Sequence, residues 1–341
     1  MISLNFLSEA DIDAIHQATL RLLEEVGVEL TNPEVRELLL DAGAKVQGDQ
    51  VKFPPSLVEK ALAGCPEQVQ IRARSGEEIM LGDGKARWHN VGGARDIYDP
   101  LSGKRRQATI QDVKDSTRLL DALENVSTIS PFFTPQDVSG PLMSLAMYRY
   151  SLPHTLKPLQ GPGVQTPLEV RYAVQMASVI GPPEDILTLS VSPVSPLIFP
   201  DEVVDAIVEV AKQGIPLAPL PCPTAGVTAP FSLAGSLTQQ NAEVLASIVL
   251  AQIIQPGLPI VYCGRLAMME PRTAASVWSG VELALASAAT VQLGHSYKLP
   301  VNIYGFTTNA HELDIQSGFE RGLNAVIPLL AGADELSGVG E

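Results

Sequence analysis

The chain has 341 residues, of which 45% are hydrophobic and 18% are charged, and its formal net charge at pH 7 is -15. This composition is typical of a folded protein with a large core, and it excludes a disordered or low-complexity chain. Because binding a phosphate backbone requires clustered Lys and Arg, the acidic excess also argues against a nucleic-acid partner.

The N-terminus predicts an amphipathic helix rather than a signal peptide, because Glu9, Asp11 and Asp13 interrupt its apolar residues. No uninterrupted apolar run reaches about 18 residues, so no membrane span is expected. The three cysteines form no CxxC motif, which is typical of a reducing compartment. A cytoplasmic location is therefore expected.

Residues 1–125 predict a small α+β region. Ser8 is placed to cap a first helix that Gly27 ends, and a second helix follows Asn32. Short strands separated by Gly-containing turns come next. One of them, in the stretch GKARWHNVGGARD, is interpreted as a strand and turn of this region, with Trp88 packing on the following domain.

From residue 126 onward, short β-like runs alternate with helical stretches. Seven such runs begin at residues 126, 156, 186, 215, 258, 300 and 333. Repeated βα units predict a parallel sheet. No GxGxxG opens the first unit, and the strands end in polar loops, so a TIM-type (β/α)8 barrel is favoured over an open, doubly wound sheet.

A barrel of eight strands needs one unit more than these seven. Either an upstream segment supplies it, or the barrel is incomplete at the C-terminus. The predicted division is an α+β region over 1–125 and a barrel over 126–341 that is truncated in its last unit. An open barrel edge would leave apolar surface uncovered, so a homo-oligomer is expected.

Aromatic and polar residues follow several predicted strands, where loops of one barrel face would gather them. The rings admit two interpretations: they fill the top layer of the barrel, or they form a cage for a quaternary ammonium. The amides at the start of the long helix either satisfy backbone groups or bind substrate. The candidate substrate-binding residues are Phe133, Gln160, Gln239, Asn241, Tyr262, Tyr304 and Phe306.

No metal site is expected, since the five histidines show no paired metal-ligand spacing. No nucleotide site is expected either, because the glycine pair in GKARWHNVGGARD is a weak phosphate signal on its own.

Five stretches together resemble the trimethylamine methyltransferase family: GARDIYDPLSGKRRQAT, TPQDVSGPL, LKPLQGPG, TAGVTAPFSLAGSLTQQNAEVLASIVLAQIIQPGLPIVYCG and TTNAHELDIQSGFERGL. The resemblance implies a TIM barrel with an added N-terminal segment. It also implies transfer of a methyl group from a small methylated amine to the cobalt of a corrinoid (cobalamin), which a separate corrinoid protein carries.

Two departures from the family pattern bear on the substrate. Members that act on trimethylamine contain pyrrolysine, which is absent here, and a quaternary amine needs no such activation. Family members also continue beyond the last residue of this chain, which suggests either a shortened chain or an in-frame UAG codon. The alternatives are a trimethylamine enzyme whose pyrrolysine-bearing segment is missing and a non-catalytic barrel that binds a betaine or a corrinoid protein.

Under this resemblance, the loop YGFTTNAHELD follows the sixth predicted strand of the barrel. Tyr304 and Phe306 are expected to face the cation. Asn309 and His311 are the candidate catalytic residues, oriented toward the carboxylate of the substrate or toward the docking corrinoid.

Overall fold

The computed structural model describes residues 4–99, 101–161 and 163–340, and at its centre eight parallel strands form a closed barrel. In chain order these are β1 (Arg87–Asn90), β2 (the extended segment 127–130), β3 (Leu159–Gln160), β4 (Leu187–Val191), β5 (Leu217–Pro219), β6 (Tyr262–Cys263), β7 (Val301–Tyr304) and β8 (Glu335–Val339). Neighbours in the chain are neighbours in the ring. The predicted TIM-type barrel is confirmed.

The ring closes between β8 and β1, which corrects one part of the sequence interpretation. Glu335 pairs with Arg87, and Leu336 pairs with Trp88. On the other side of β1, the Ser127 backbone N–H donates to the Trp88 carbonyl oxygen over 2.9 Å. The barrel therefore begins upstream of residue 126, and its strand ring is complete. The stretch was misassigned because β1 carries polar side chains on its inner face and lacks the apolar run of a typical buried strand.

Seven helices follow the first seven strands and cover the outside of the barrel. They are α1 (Ile110–Ala122), α2 (Met143–Ser151), α3 (Pro167–Ser178), α4 (Asp201–Lys212), α5 (Leu233–Ile254), α6 (Val281–Ser296) and α7 (Ile315–Leu330). Helix α5 is buried along most of its length because it lies between the barrel and two N-terminal helices. This explains why its apolar residues are not confined to one face.

The N-terminal region packs on the side and on the N-terminal end of the barrel. Its helices are Glu9–Arg21, Pro33–Asp41 and Pro55–Gly64, and its strands are Val28–Leu30, Lys45–Gln47, Gln50–Lys52, Val69–Arg72 and Glu78–Leu81. The last two strands form a hairpin whose apolar residues pack against Ala218, Val261 and Cys263 of the barrel. The hairpin thus occupies the N-terminal end of the barrel.

Short elements complete the loops. They are strands Asp96–Tyr98, Arg105–Gln107, Ile198–Phe199, Thr224–Ala225, Ala267–Met269 and Ser276–Val277, the α-helical turn Pro183–Ile186, the 3-10 turns Gly140–Leu142 and Leu152–His154, and the π-helical turn Leu22–Val26. Across the described residues, none of the helices combines the length and the apolar character needed to cross a bilayer.

Candidate functional site

The C-terminal ends of the barrel strands surround a cavity of about 250 Å³. Each of the eight strands, or the loop directly after it, supplies part of the wall: His89, Asn90, Ser130, Gln160, Ser190, Leu220, Cys263, Arg265, Asn302, Tyr304 and Ser337. This is the end of the fold where TIM-barrel enzymes place their active sites.

Asn302 of β7 lies in the cavity wall and forms hydrogen bonds to both a buried cation, Arg265, and a buried anion, Glu335. Its side-chain oxygen accepts a hydrogen bond from Arg265 Nη2, and its Nδ2 donates to Glu335 Oε2 over 2.9 Å. The same Nδ2 lies 2.8 Å from His89 Nε2. Since an amide has a defined donor end and acceptor end, its orientation is fixed by these three partners.

Arg265 follows β6 and is 3% exposed. Its Nη1 donates to the Asn302 carbonyl oxygen over 2.8 Å, and its Nη2 donates to Ser337 Oγ over 3.1 Å. The guanidinium carbon lies 4.4 Å from the centre of the Tyr304 ring, within cation–π distance. Its Nε has no hydrogen-bond partner among the described residues.

Glu335 of β8 is fully buried. It accepts hydrogen bonds from Gln160 Nε2 over 2.7 Å, from Asn302 Nδ2 over 2.9 Å and from Thr128 Oγ1 over 3.4 Å. The carboxylate therefore places a negative charge directly behind the amides that line the cavity.

His89 of β1 is held as a neutral imidazole. Its Nδ1 lies 2.8 Å from the Asn90 carbonyl oxygen, to which it must donate, so that Nε2 is left to accept from Asn302. Burial lowers the pKa of His89 below its ordinary value of 6.5, and the positive charge of Arg265 acts in the same direction, although the charge of Glu335 opposes them.

Cys263 also contributes to the wall, and burial raises its pKa to about 11. At neutral pH it is therefore a thiol rather than a nucleophilic thiolate.

The opposite wall is made of small residues. Gly92, Gly93, Gly161 and Gly163 lie there beside the hydroxyl-bearing residues Ser130, Ser190 and Ser192. A Cβ atom at Gly92 would overlap the Ser130 hydroxyl, so glycine is required for this close approach. Hydroxyl and amide groups thus reach the cavity from several strands, between surfaces that are mostly carbon.

Lowering the pH is expected to destabilise the fold through His89. Because the pKa of His89 is lower in the folded chain, the unfolded chain takes up the proton first, and stability falls as the pH drops below 6.5 toward that lowered value. Melting temperatures measured from pH 7.5 to pH 5 should therefore fall more steeply for wild type than for His89→Gln, whose side-chain oxygen replaces the Nε2 acceptor. If the melting temperature changed equally with pH in both proteins, the pH dependence would not come from His89, since the carboxylates that also titrate are common to both.

The structure does not bring the candidate rings Tyr262, Tyr304 and Phe306 around one cavity, as a cage for a quaternary ammonium would require. Tyr262 is fully buried in the core, where its hydroxyl donates to Asn241 Oδ1 over 2.8 Å. Phe306 packs on Trp88 with ring centres 5.2 Å apart, outside the cavity wall. Tyr304 does line the cavity, but Arg265 lies over its ring.

Among the other candidate binding residues, only Gln160 lines the cavity. Gln239 Nε2 donates to the Thr228 carbonyl oxygen over 2.7 Å, so this amide fixes a loop. Asn241 Nδ2 donates to Tyr297 over 2.7 Å inside the helical layer. Phe133 packs on Phe132 with ring centres 4.7 Å apart.

The two candidate catalytic residues also lie outside the cavity wall. Asn309 Oδ1 accepts from the Trp278 backbone N–H over 3.0 Å, which ties the loops after β6 and β7 together. His311 is exposed in the loop after β7. The structure does not bring either side chain to Arg265 or Glu335.

Sequence reasoning missed most polar residues of this site, among them His89, Asn302, Glu335 and Ser337. Each lies inside a strand rather than in the loop after it. The sequence signal that could have identified them is a polar residue within an otherwise apolar parallel strand. Burying such a side chain costs free energy of folding unless the residue has hydrogen-bond partners or a function.

Comparisons with known proteins agree on one family. The family model described as trimethylamine methyltransferase (MTTB) matches residues 1–336. The trimethylamine methyltransferase MttB of Desulfitobacterium hafniense (strain DSM 10664 / DCB-2) is 28% identical over 98% of this chain and 69% of its own length. The glycine betaine methyltransferase of D. hafniense (strain Y51) is 29% identical over 97% of this chain and 70% of its own length.

A solved structure supports the same fold. The monomethylamine methyltransferase MtmB of Methanosarcina barkeri aligns with a TM-score of 0.68 at 13% identity, covering 99% of this chain and 70% of MtmB. Because the family model spans the N-terminal region and the barrel together, through nearly the last residue, this chain belongs to the trimethylamine methyltransferase family.

Proposed function

We propose that this chain transfers a methyl group from a quaternary amine to the cobalt of a corrinoid carried by a partner protein. Membership of the family supports methyl transfer from a methylated amine. The observation that carries the proposal is the cavity at the C-terminal ends of the strands, where Asn302 connects the buried Arg265 of the wall to a buried Glu335 behind it.

The reaction is a displacement at carbon. The electron pair of cobalt(I) forms a cobalt–carbon bond while the carbon–nitrogen bond breaks, and that bonding pair stays on nitrogen. A quaternary ammonium then leaves as a neutral tertiary amine, so no proton has to be supplied. The protein contributes by holding the methyl group in line with the cobalt and by excluding water.

The wall residues support a quaternary donor over a tertiary amine. A tertiary amine is protonated in neutral water, but it can leave as a neutral product only if it keeps that proton inside the site. The histidine in the wall is neutral because its pKa is lowered by burial, so it cannot return a proton that is lost on binding. Cys263 holds its proton too tightly to act as an acid at neutral pH, since its pKa is raised to about 11. A quaternary ammonium carries its positive charge already.

The test is methyl transfer to free cob(I)alamin under anaerobic conditions, with trimethylamine, glycine betaine, proline betaine and carnitine offered separately. Formation of methylcobalamin from a quaternary amine, and none from trimethylamine, is the expected result. His311→Ala serves as the matched control and should retain the wild-type rate, because this exposed side chain lies outside the cavity wall.

Two outcomes would contradict the proposal. Transfer from trimethylamine alone would overturn the quaternary donor. Tight binding of a quaternary amine with no methylcobalamin formed, even with a corrinoid protein added as acceptor, would indicate a binding protein without catalytic activity.

A further inference from the structure

Helix α7 has its apolar face turned away from the barrel. A helix on the outside of a barrel normally packs its apolar stripe inward. In α7 three large apolar side chains lie in solvent instead: Ile315 is 92% exposed, Phe319 is 65% exposed and Val326 is 50% exposed. The residues that the helix buries are small or polar: Ser317, Asn324, Ala325 and Pro328.

The exposed residues form one continuous strip along the helix. At 3.6 residues per turn, Ile315, Phe319, Gly322 and Val326 lie within about 60° of one another around the helix axis. Gly322 lies in the middle of the strip, and a Cβ atom there would meet nothing within 4 Å. An exposed apolar surface that is continuous in this way marks an interaction site.

The strip also carries no charge. All residues of α7 are described by the structure, and only Glu320 and Arg321 among them are charged. Both side chains bind the loop after β7: Glu320 Oε2 accepts from the Asn309 backbone N–H over 2.7 Å, and Arg321 Nη1 donates to the Phe306 carbonyl oxygen over 2.9 Å. The outer face of α7 is therefore neutral in a chain whose formal net charge is -15.

We infer that this strip is the interface between two copies of the chain, which pack their α7 helices antiparallel across a twofold axis at Gly322. A patch on a twofold axis must be complementary to itself, as an apolar strip is. Two chains of high negative charge repel each other, so their contact surface has to be free of carboxylates. A partner recognised by its charge would need charged groups that the strip does not offer.

The antiparallel arrangement follows from the positions of the side chains. Phe319 and Val326 lie three and four residues on either side of Gly322, so Phe319 of one copy meets Val326 of the other. The glycine at the crossing point lets the two backbones approach closely. The helix is about 24 Å long, so the acidic residues Glu312 and Asp314 of the two copies stay at opposite ends of the interface.

This interface does not depend on the proposed function, and it gives a homo-oligomer a different basis from an open barrel edge. The strand ring is closed between β8 and β1, so no strand edge needs a cover. Two α7 faces bury on the order of 1,000 Å², which is the lower end for a specific interface. A dimer that dissociates at micromolar concentrations is therefore expected.

Sedimentation velocity of the full wild-type chain, from about 1 to about 100 µM, is the first test. The mass should rise from the 36.3 kDa of one chain toward twice that value. Added salt should strengthen the dimer, because it screens the repulsion between acidic chains. A mass that stays at 36.3 kDa, or a dimer that salt weakens, would overturn the inference.

A charge placed in the strip tests which surface is used. Phe319→Glu should raise the dissociation constant of the dimer at least about tenfold, because it brings a carboxylate into an apolar contact. Val179→Glu makes the same change at another exposed apolar side chain, at the end of α3, and should have no effect. Both variants should keep the circular dichroism spectrum of the wild type. A Phe319→Glu protein that remains dimeric would contradict the assignment.

Cross-linking tests the position of the axis. Gly322→Cys, treated with a short bismaleimide, should give a covalent dimer in high yield. Val179→Cys should give no more than the wild type, whose three cysteines are common to all of these proteins. Equal yields from the two variants would show that the axis does not pass near Gly322, and the inference would fail.

Two other occupants of the strip are tested in parallel. The monomeric wild type is mixed with vesicles of neutral phosphatidylcholine and, separately, with a corrinoid protein. If either one binds a chain that does not dimerise, and Phe319→Glu abolishes that binding, the strip belongs to that occupant and the inference is overturned.

Discussion

Replacing Gly338 by alanine is expected to destabilise the barrel strongly. Gly338 lies in β8 with φ of 112°, which is strained for a residue with a side chain. A Cβ atom there would also overlap the carbonyl oxygen of Gly305, which is backbone and cannot rotate away. Strain and overlap together should cost about 3–5 kcal/mol.

Thermal unfolding measures this effect, and a fall in Tm on the order of 10 °C is expected for Gly338→Ala. The matched control is Gly318→Ala in helix α7, where a Cβ atom would meet nothing within 4 Å. That substitution should leave Tm unchanged or raise it, because alanine favours the helix. Equal melting temperatures for the two variants would show that β7 and β8 do not approach each other as described.

Glu335→Gln is expected to lower kcat/KM for the methyl donor on the order of 100-fold, at a cost of about 1–3 kcal/mol in stability. The carboxylate accepts from the amide groups of Gln160 and Asn302. A glutamine can turn its own NH2 group toward one of these donors, and the Asn302 amide would then rotate to find an acceptor. The side-chain oxygen of Asn302 would then no longer accept from Arg265, and the guanidinium in the cavity wall would lose this hydrogen bond.

The adjacent residue provides the control for Glu335. Asp334 bonds His295 Nε2 and the Val301 backbone N–H, each over 2.8 Å, at the N-terminal end of the barrel. Asp334→Asn should therefore lower Tm while leaving kcat/KM for the methyl donor unchanged. If both variants lower kcat/KM equally, the effect of Glu335 comes from general loosening of β8 rather than from the cavity.

The regular spacing of strands and helices was enough to predict the barrel, because each βα unit leaves a pattern that is local in sequence. The first strand was not recognised because its buried residues His89 and Asn90 are polar, and because its partner β8 lies more than 240 residues away in the chain. Strand pairing over such a distance leaves no local signal, so closure of the ring could not be read from either segment alone.

The binding residues were harder to predict because strand alternation decides which side chains face inward. Residues two apart share a face, so Cys263 and Arg265 both line the cavity, as do Asn302 and Tyr304. Tyr262 belongs to the other face and packs against helix α5 through Asn241. Selecting aromatic residues at strand ends ignored this alternation, and the polar residues of the inner face were overlooked as a result.

The hairpin formed by Val69–Arg72 and Glu78–Leu81 has a consequence for the order of events in catalysis. It occupies one end of the barrel, so under the proposed function the methyl donor and the corrinoid protein share the opposite end as their route of access. The small donor must then enter before the larger protein covers the opening. The demethylated amine leaves only after that protein has departed, so each turnover follows a fixed sequence of arrival and release.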